Sequence, residues 1–196
     1  MSTDEEKEIL ALMRAAQEKA RGHADFFGWK VDRDIEEWGV VDSLRESLET
    51  NGELFFAGVT SRGRGNDPPD CESVNVNHMR IAIEVTELVD SEAIKAYKQN
   101  QVYNWENWTK ERFISSLSER IISKGARYAT LKGGPYEGGY VIVIHTDEVM
   151  LSLWTVRSFL DGVAFKKPLG VTRAFLLMSY DPKTKHCPYV ELTLSD

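Results

Sequence analysis

Asn66-Asp67-Pro68-Pro69-Asp70, followed by Ile81-Ala82-Ile83-Glu84-Val85-Thr86, places one carboxylate at each end of a segment that reads as a β-hairpin. The prolines fix the backbone and hold Pro68 extended, so Asp70 enters the next strand in a defined direction. Residues 71–76 and 80–86 flank Asn77-His78 and predict two strands paired across that turn. Side chains along the second strand alternate between the sheet faces. Ile81, Ile83 and Val85 share one face; Ala82, Glu84 and Thr86 share the other, so Glu84 stands where a core strand ordinarily carries an aliphatic residue. A buried carboxylate is costly unless a partner compensates it. Taken singly, Asp70 is also a turn residue and Glu84 a solvated strand residue. Together they predict a seat for a divalent cation, Mg²⁺ (or Mn²⁺), which hard oxygen ligands and retained waters suit.

The hairpin sits within an alternation of helices and strands. Residues 5–20 are rich in Ala, Leu, Glu and Lys and predict a helix. A second helix is expected over residues 34–50, stopped by Asn51-Gly52, and a short strand over 54–59. After the hairpin, helices are expected over 91–99 and 109–123, the latter ending at Lys124-Gly125. Residues 140–145 form a strand apolar on both faces. Thr146-Asp147 then caps a helix running to Leu160, and strands follow over 173–180 and 189–194. The pattern predicts an α/β fold in one domain of 196 residues, a mixed central β-sheet flanked by helices, with an N-terminal helical extension over 1–24.

The helix before the hairpin offers a third acid. Glu37, Val40, Val41, Leu44 and Leu48 recur at helical spacing, which puts Glu37 on the sheet-facing side; a first-turn Glu is also favoured there by the helix dipole. With helix, inward Glu, strand, Pro69-Asp70, hairpin, Ile83-Glu84-Val85-Thr86, helix and strand in this order, residues 34–146 resemble the core of the PD-(D/E)XK, or restriction-endonuclease-like, nucleases. The resemblance implies that Asp70 and Glu84, with the backbone carbonyl of Val85, are metal ligands and that Glu37 is the helix acid. It implies a nuclease hydrolysing DNA or RNA phosphodiester bonds with Mg²⁺. The family carries a lysine where this chain has Thr86, so either another cation moves in or the domain binds without cutting. Lys95 and Lys98, on the helix after the strand, are the nearest candidates. Gln99 and Tyr103 fit a Q-x-x-x-Y pattern that some of these nucleases carry, as a surface glutamine and a packing tyrosine also would.

Other residues have two readings each. His145 is a proton shuttle beside a metal or a strand-end histidine near Asp147 and Glu148. His186 and Cys187 lack partners at ligand spacing. Trp105 and Trp108 either stack on bases or close a core. Arg62, Arg64, Arg120, Lys124, Arg127 and Lys132 form a phosphate-contacting rim or scattered surface charge. The glycine-rich 133–139 loop precedes a strand and lacks Gly-Lys-Ser/Thr, which excludes a P-loop.

The net charge of −7 is unevenly spread: residues 1–56 carry 14 acidic and 7 basic side chains, and residues 57–196 carry 17 of each. The excess acidity therefore belongs to the N-terminal helices, a surface for a homodimer or a partner protein, and leaves nucleic-acid binding open elsewhere. No apolar stretch approaches the roughly 18 residues that span a bilayer, so no membrane partner is expected. An acidic start without a signal-peptide pattern, and Cys71 and Cys187 far apart, predict a reduced cytoplasmic setting.

Overall fold

A computed structural model describes residues 33–99, 101 and 107–196; the expected N-terminal helix, Tyr103 and Trp105 lie outside them. The first elements are α1 (Arg33–Thr50), β1 (Phe56–Ser61), β2 (Cys71–Asn75) and β3 (Arg80–Glu87). Helix α1 stops where expected: Gly52 takes φ +80° and the Glu53 amide donates to the Leu48 carbonyl at 2.9 Å. Glycine adopts this left-handed conformation without a side-chain penalty. The β2–β3 turn is held by Asn75, whose Oδ1 accepts the Asn77 and Met79 amides at 2.9 and 3.0 Å. Asparagine favours turns for this reason. The strands pair antiparallel with Cys71 opposite Ile83, so Asp70 and Glu84 are neighbours one step further, at the open end of the hairpin.

The chain continues through α2 (Ser91–Lys98), α3 (Lys110–Ala126), a 3₁₀ turn (Arg127–Thr130), β4 (Gly139–Thr146), α4 (Leu153–Leu160), β5 (Phe165–Lys166), β6 (Val171–Met178), β7 (Tyr189–Glu191) and β8 (Leu194–Ser195). Six strands form one mixed sheet in the order β1-β2-β3-β4-β6-β7, and β5 pairs with β8 separately. β3, β4 and β6 run parallel, while β1, β2 and β7 are antiparallel to their neighbours.

Each face of the sheet has its own core. Val40, Val41, Leu44 and Leu48 of α1 pack on Ile81, Ile83, Val85, Val141 and Val143. Phe113, Leu117 and Ile121 of α3, with Val156 of α4, pack on Ala82, Tyr140, Ile142 and Ile144. Strand β4 thus alternates between two buried layers, as its continuous apolar run implies. Each such aliphatic side chain contributes about 1.5–3 kcal/mol by leaving water.

Several boundaries differ from expectation: β1 covers Phe56–Ser61 rather than 54–59, and β6 covers Val171–Met178 rather than 173–180. Helix α3 does not stop at Lys124-Gly125 but runs on to Ala126, because Gly125 is buried against Pro168 rather than acting as a cap. Thr146 does not cap a helix: its hydroxyl donates to the Leu88 carbonyl at 2.8 Å, tying the ends of β3 and β4 together. Helix α4 begins instead behind Ser152, whose Oγ accepts the Thr155 amide at 3.1 Å. The last expected strand is split: β7 ends at Glu191, the Leu192 amide still donates to the Ala174 carbonyl at 2.8 Å, and Leu194–Ser195 pairs instead with Phe165–Lys166.

A Cβ at Gly125 would overlap the Pro168 ring. On helix propensity alone Gly125→Ala would gain up to about 1 kcal/mol. Overpacking reverses the sign, and a loss of about 1–3 kcal/mol is expected in urea unfolding. A stabilised variant would contradict the packing described.

Candidate metal centre

Asp70 and Glu84 meet at the hairpin's open end with their side chains 1% and 0% exposed. That burial demands compensation, and α3 supplies it. Phe113, Leu117 and Ile121 are spaced four apart and face the sheet; Lys124, three residues further, falls on the same side. Its Nζ lies 2.6 Å from Glu84 Oε2 and 2.9 Å from Asp70 Oδ2. The Tyr140 hydroxyl donates to the Lys124 carbonyl at 2.6 Å and fixes this last turn to β4. Asp70 Oδ2 also accepts the Val85 amide at 2.7 Å.

A second cation closes the group. Arg127, the C-cap residue of α3, places Nη1 2.8 Å from Glu84 Oε2 and 3.7 Å from Asp70 Oδ1. Its Nη2 pairs with Asp67 Oδ1. Asp67, Asp70 and Glu84 each offer an oxygen within 4.8 Å of the others, a group able to hold a metal ion. Glu84 Oε1 is buried and has no hydrogen-bond partner among the described residues. Three carboxylates with one unsatisfied buried oxygen form a hard, anionic donor set that fits a divalent cation.

The environment pushes these groups apart. Burial raises Glu84; Lys124 opposes it and Asp70 adds to it, leaving the carboxyl at about 7. Burial also acts on Asp70, but Lys124, the Val85 amide and Asp67 together hold it below its ordinary value. Glu37 is raised, first by burial and then by Asp70, against the Arg33 guanidinium 2.6 Å away. Two cavities lie at the site, one lined by Asp67 and Asp70 and one by Lys124. One, of about 230 Å³, is lined by Glu37, Gly63, Arg64, Asp67 and Asp70. The other, of about 240 Å³, is lined by Glu37, Val85, Thr86, Lys124 and His145.

Glu37 and Thr86 therefore stand beside the group the sequence pointed to. Lys95 and Lys98 do not. Lys95 is exposed and pairs with Glu92 at 2.6 Å, and Lys98 is exposed on the same helix. The cation at the carboxylates is Lys124, because α3 and not α2 packs over this end of β3. Asp67 also joins the group, although its sequence position reads only as a turn. Trp108 is buried: its Nε1 donates to Glu148 at 3.2 Å and its ring packs edge-on against Phe113, so it closes a core. Arg62 pairs with Glu72, and Arg120 donates to the Glu87 carbonyl. Gln99 is exposed. His186 lies in the turn bridged to Asp181, and Cys71 and Cys187 are free and buried. No helix among the described residues is long and apolar enough to cross a membrane.

Compared with family models, curated proteins and solved structures, the chain matches none.

Glu84's folded value near 7 lies above its ordinary 4.5, so the stability its bound proton confers is full below about pH 4.5 and lost as pH rises through 7. Lys124→Met raises Glu84 further and lifts the depression of Asp70. Both effects cost stability most at high pH. We expect a loss of about 2 kcal/mol or more at pH 8, smaller by at least ~1 kcal/mol at pH 5, in urea unfolding. A loss independent of pH would contradict the electrostatic coupling.

Proposed function

We propose that this chain is a Mg²⁺- or Mn²⁺-dependent nuclease hydrolysing phosphodiester bonds of DNA or RNA. The observation that carries the reading is the convergence of Asp70, just before β2, and Glu84, on β3, on the ammonium of Lys124. Asp70, Glu84 and Asp67 would hold the cation. When bound, it would lower the pKa of a water and neutralise charge on the phosphate. The order of α1, the three antiparallel strands β1–β3, the α3 helix and parallel β4 is that expected of the restriction-endonuclease-like core, and it supports the assignment.

The chain's own groups account for the rest. The resemblance puts a lysine at position 86, and Lys124 reaches the same carboxylates from the facing helix while lining one cavity with Thr86. Its ammonium is placed to orient an attacking water and to stabilise negative charge developing on phosphate oxygens. The Thr86 hydroxyl offers a hydrogen bond in that cavity. Glu37, which lines both cavities, contributes a further acid beside Asp70.

One observation favours a second reading, a nuclease-like module that binds without cutting: Lys124 and Arg127 already neutralise the buried carboxylates. Calorimetry separates the two, since absence of Mn²⁺ binding at millimolar concentration selects the second.

Pure protein incubated with plasmid and with single-stranded DNA or RNA is expected to cleave in Mg²⁺ or Mn²⁺ and to stop on chelation. Asp70→Ala, Glu84→Ala and Lys124→Ala should each lower the rate about a hundredfold or more. Equal cleavage by wild type and all three variants would identify a contaminant and end the proposal.

A further inference from the structure

The guanidinium of Arg127 spans the carboxylate group from its open side. Its partners, Asp67, Asp70 and Glu84, are the same three residues whose oxygens lie within 4.8 Å of one another. The two cations of the site are not held alike. Lys124 is 11% exposed, and its carbonyl is bound by Tyr140. Arg127 is 27% exposed and stands where α3 ends. A divalent ion and the Arg127 guanidinium seek the same carboxylates and repel each other at contact distance, so they compete for them. The side chain nearer solvent is the one free to leave. Once released, a planar fork of N–H donors matches two oxygens of a phosphate.

We propose that Arg127 is an exchangeable plug on the cation seat: it occupies the carboxylates when no divalent ion is bound, and turns to a substrate phosphate when one displaces it. The second half rests on the nuclease reading above. Metal and phosphate are then coupled. The metal frees Arg127, and a phosphate that holds Arg127 leaves the carboxylates to the metal, so each raises the other's affinity by the same factor.

The test is calorimetric titration of Mn²⁺ into wild type, Arg127→Gln and Arg64→Gln. Arg64 lines the cavity beside Asp67 and Asp70, so its variant reports the general effect of removing a nearby positive charge. Arg127→Gln is expected to bind Mn²⁺ roughly tenfold tighter or more than wild type, and Arg64→Gln within about threefold of it. Arg127→Lys keeps the charge but loses the fork; it should fall in between, and it serves if the glutamine variant does not fold. Saturation with a phosphorothioate oligonucleotide should tighten Mn²⁺ binding to wild type and leave Arg127→Gln nearly unchanged. Equal Mn²⁺ affinity in wild type and Arg127→Gln overturns the plug and leaves the nuclease reading standing. Tightening in the variant without oligonucleotide coupling in wild type overturns the phosphate half. No Mn²⁺ binding to any of the proteins removes the cation seat, and with it both the plug and the metal-dependent nuclease reading.

Discussion

Glu84 is a carboxylate in the middle of a buried strand, with Asp70 beside it at the start of the next, and this pair constrains the rest of the molecule. Two adjacent carboxylates out of water are tolerable only if cations lie against them. The cations come from one place, the C-terminal end of α3, where Lys124 and Arg127 are three residues apart. That end must therefore sit close over the hairpin. It does so because Phe113, Leu117 and Ile121 bury the preceding turns of the helix, Gly125 lets Pro168 approach without a side chain in the way, and the Tyr140 hydroxyl binds the Lys124 carbonyl. The packing of one helix and the electrostatics of the site are one arrangement.

The two faces of the sheet divide the labour. Helix α1 covers the Ile81, Ile83 and Val85 side and brings Glu37 to the edge where Asp70 emerges. Helix α3 covers the Ala82 and Glu84 side and brings the cations. The carboxylates lie where these layers meet the open end of the hairpin; Asp67 and Asp70 line one cavity there and Lys124 lines another.

Much of this was legible in the sequence where local chemistry decides structure. Asn51-Gly52 stopped α1, Asn77-His78 turned the hairpin, and strict alternation put Glu84 on the face away from Ile83. The role of Lys124 as the cation against the carboxylates was not legible, for two physical reasons. Lys124-Gly125 has the form of a helix stop, and only the contact with Pro168, distant in sequence, shows that the glycine is there for packing. Proximity along the chain then favours Lys95 and Lys98, whereas proximity in space depends on which helix covers β3. Asp67 was hidden similarly: in sequence it is a turn residue before two prolines, and its place beside Glu84 depends on Arg127 reaching it from α3. The separate β5–β8 pair joins short segments that carry no periodic signal of their own.

The most direct test of the central claim is anomalous diffraction from crystals of the protein grown with Mn²⁺. The account predicts a strong peak at ligand distance from Asp70 and Glu84, with the Lys124 ammonium still beside them and Arg127 turned away. Density showing Lys124 and Arg127 on the carboxylates, with no anomalous peak between Asp67, Asp70 and Glu84 at millimolar Mn²⁺, would contradict it.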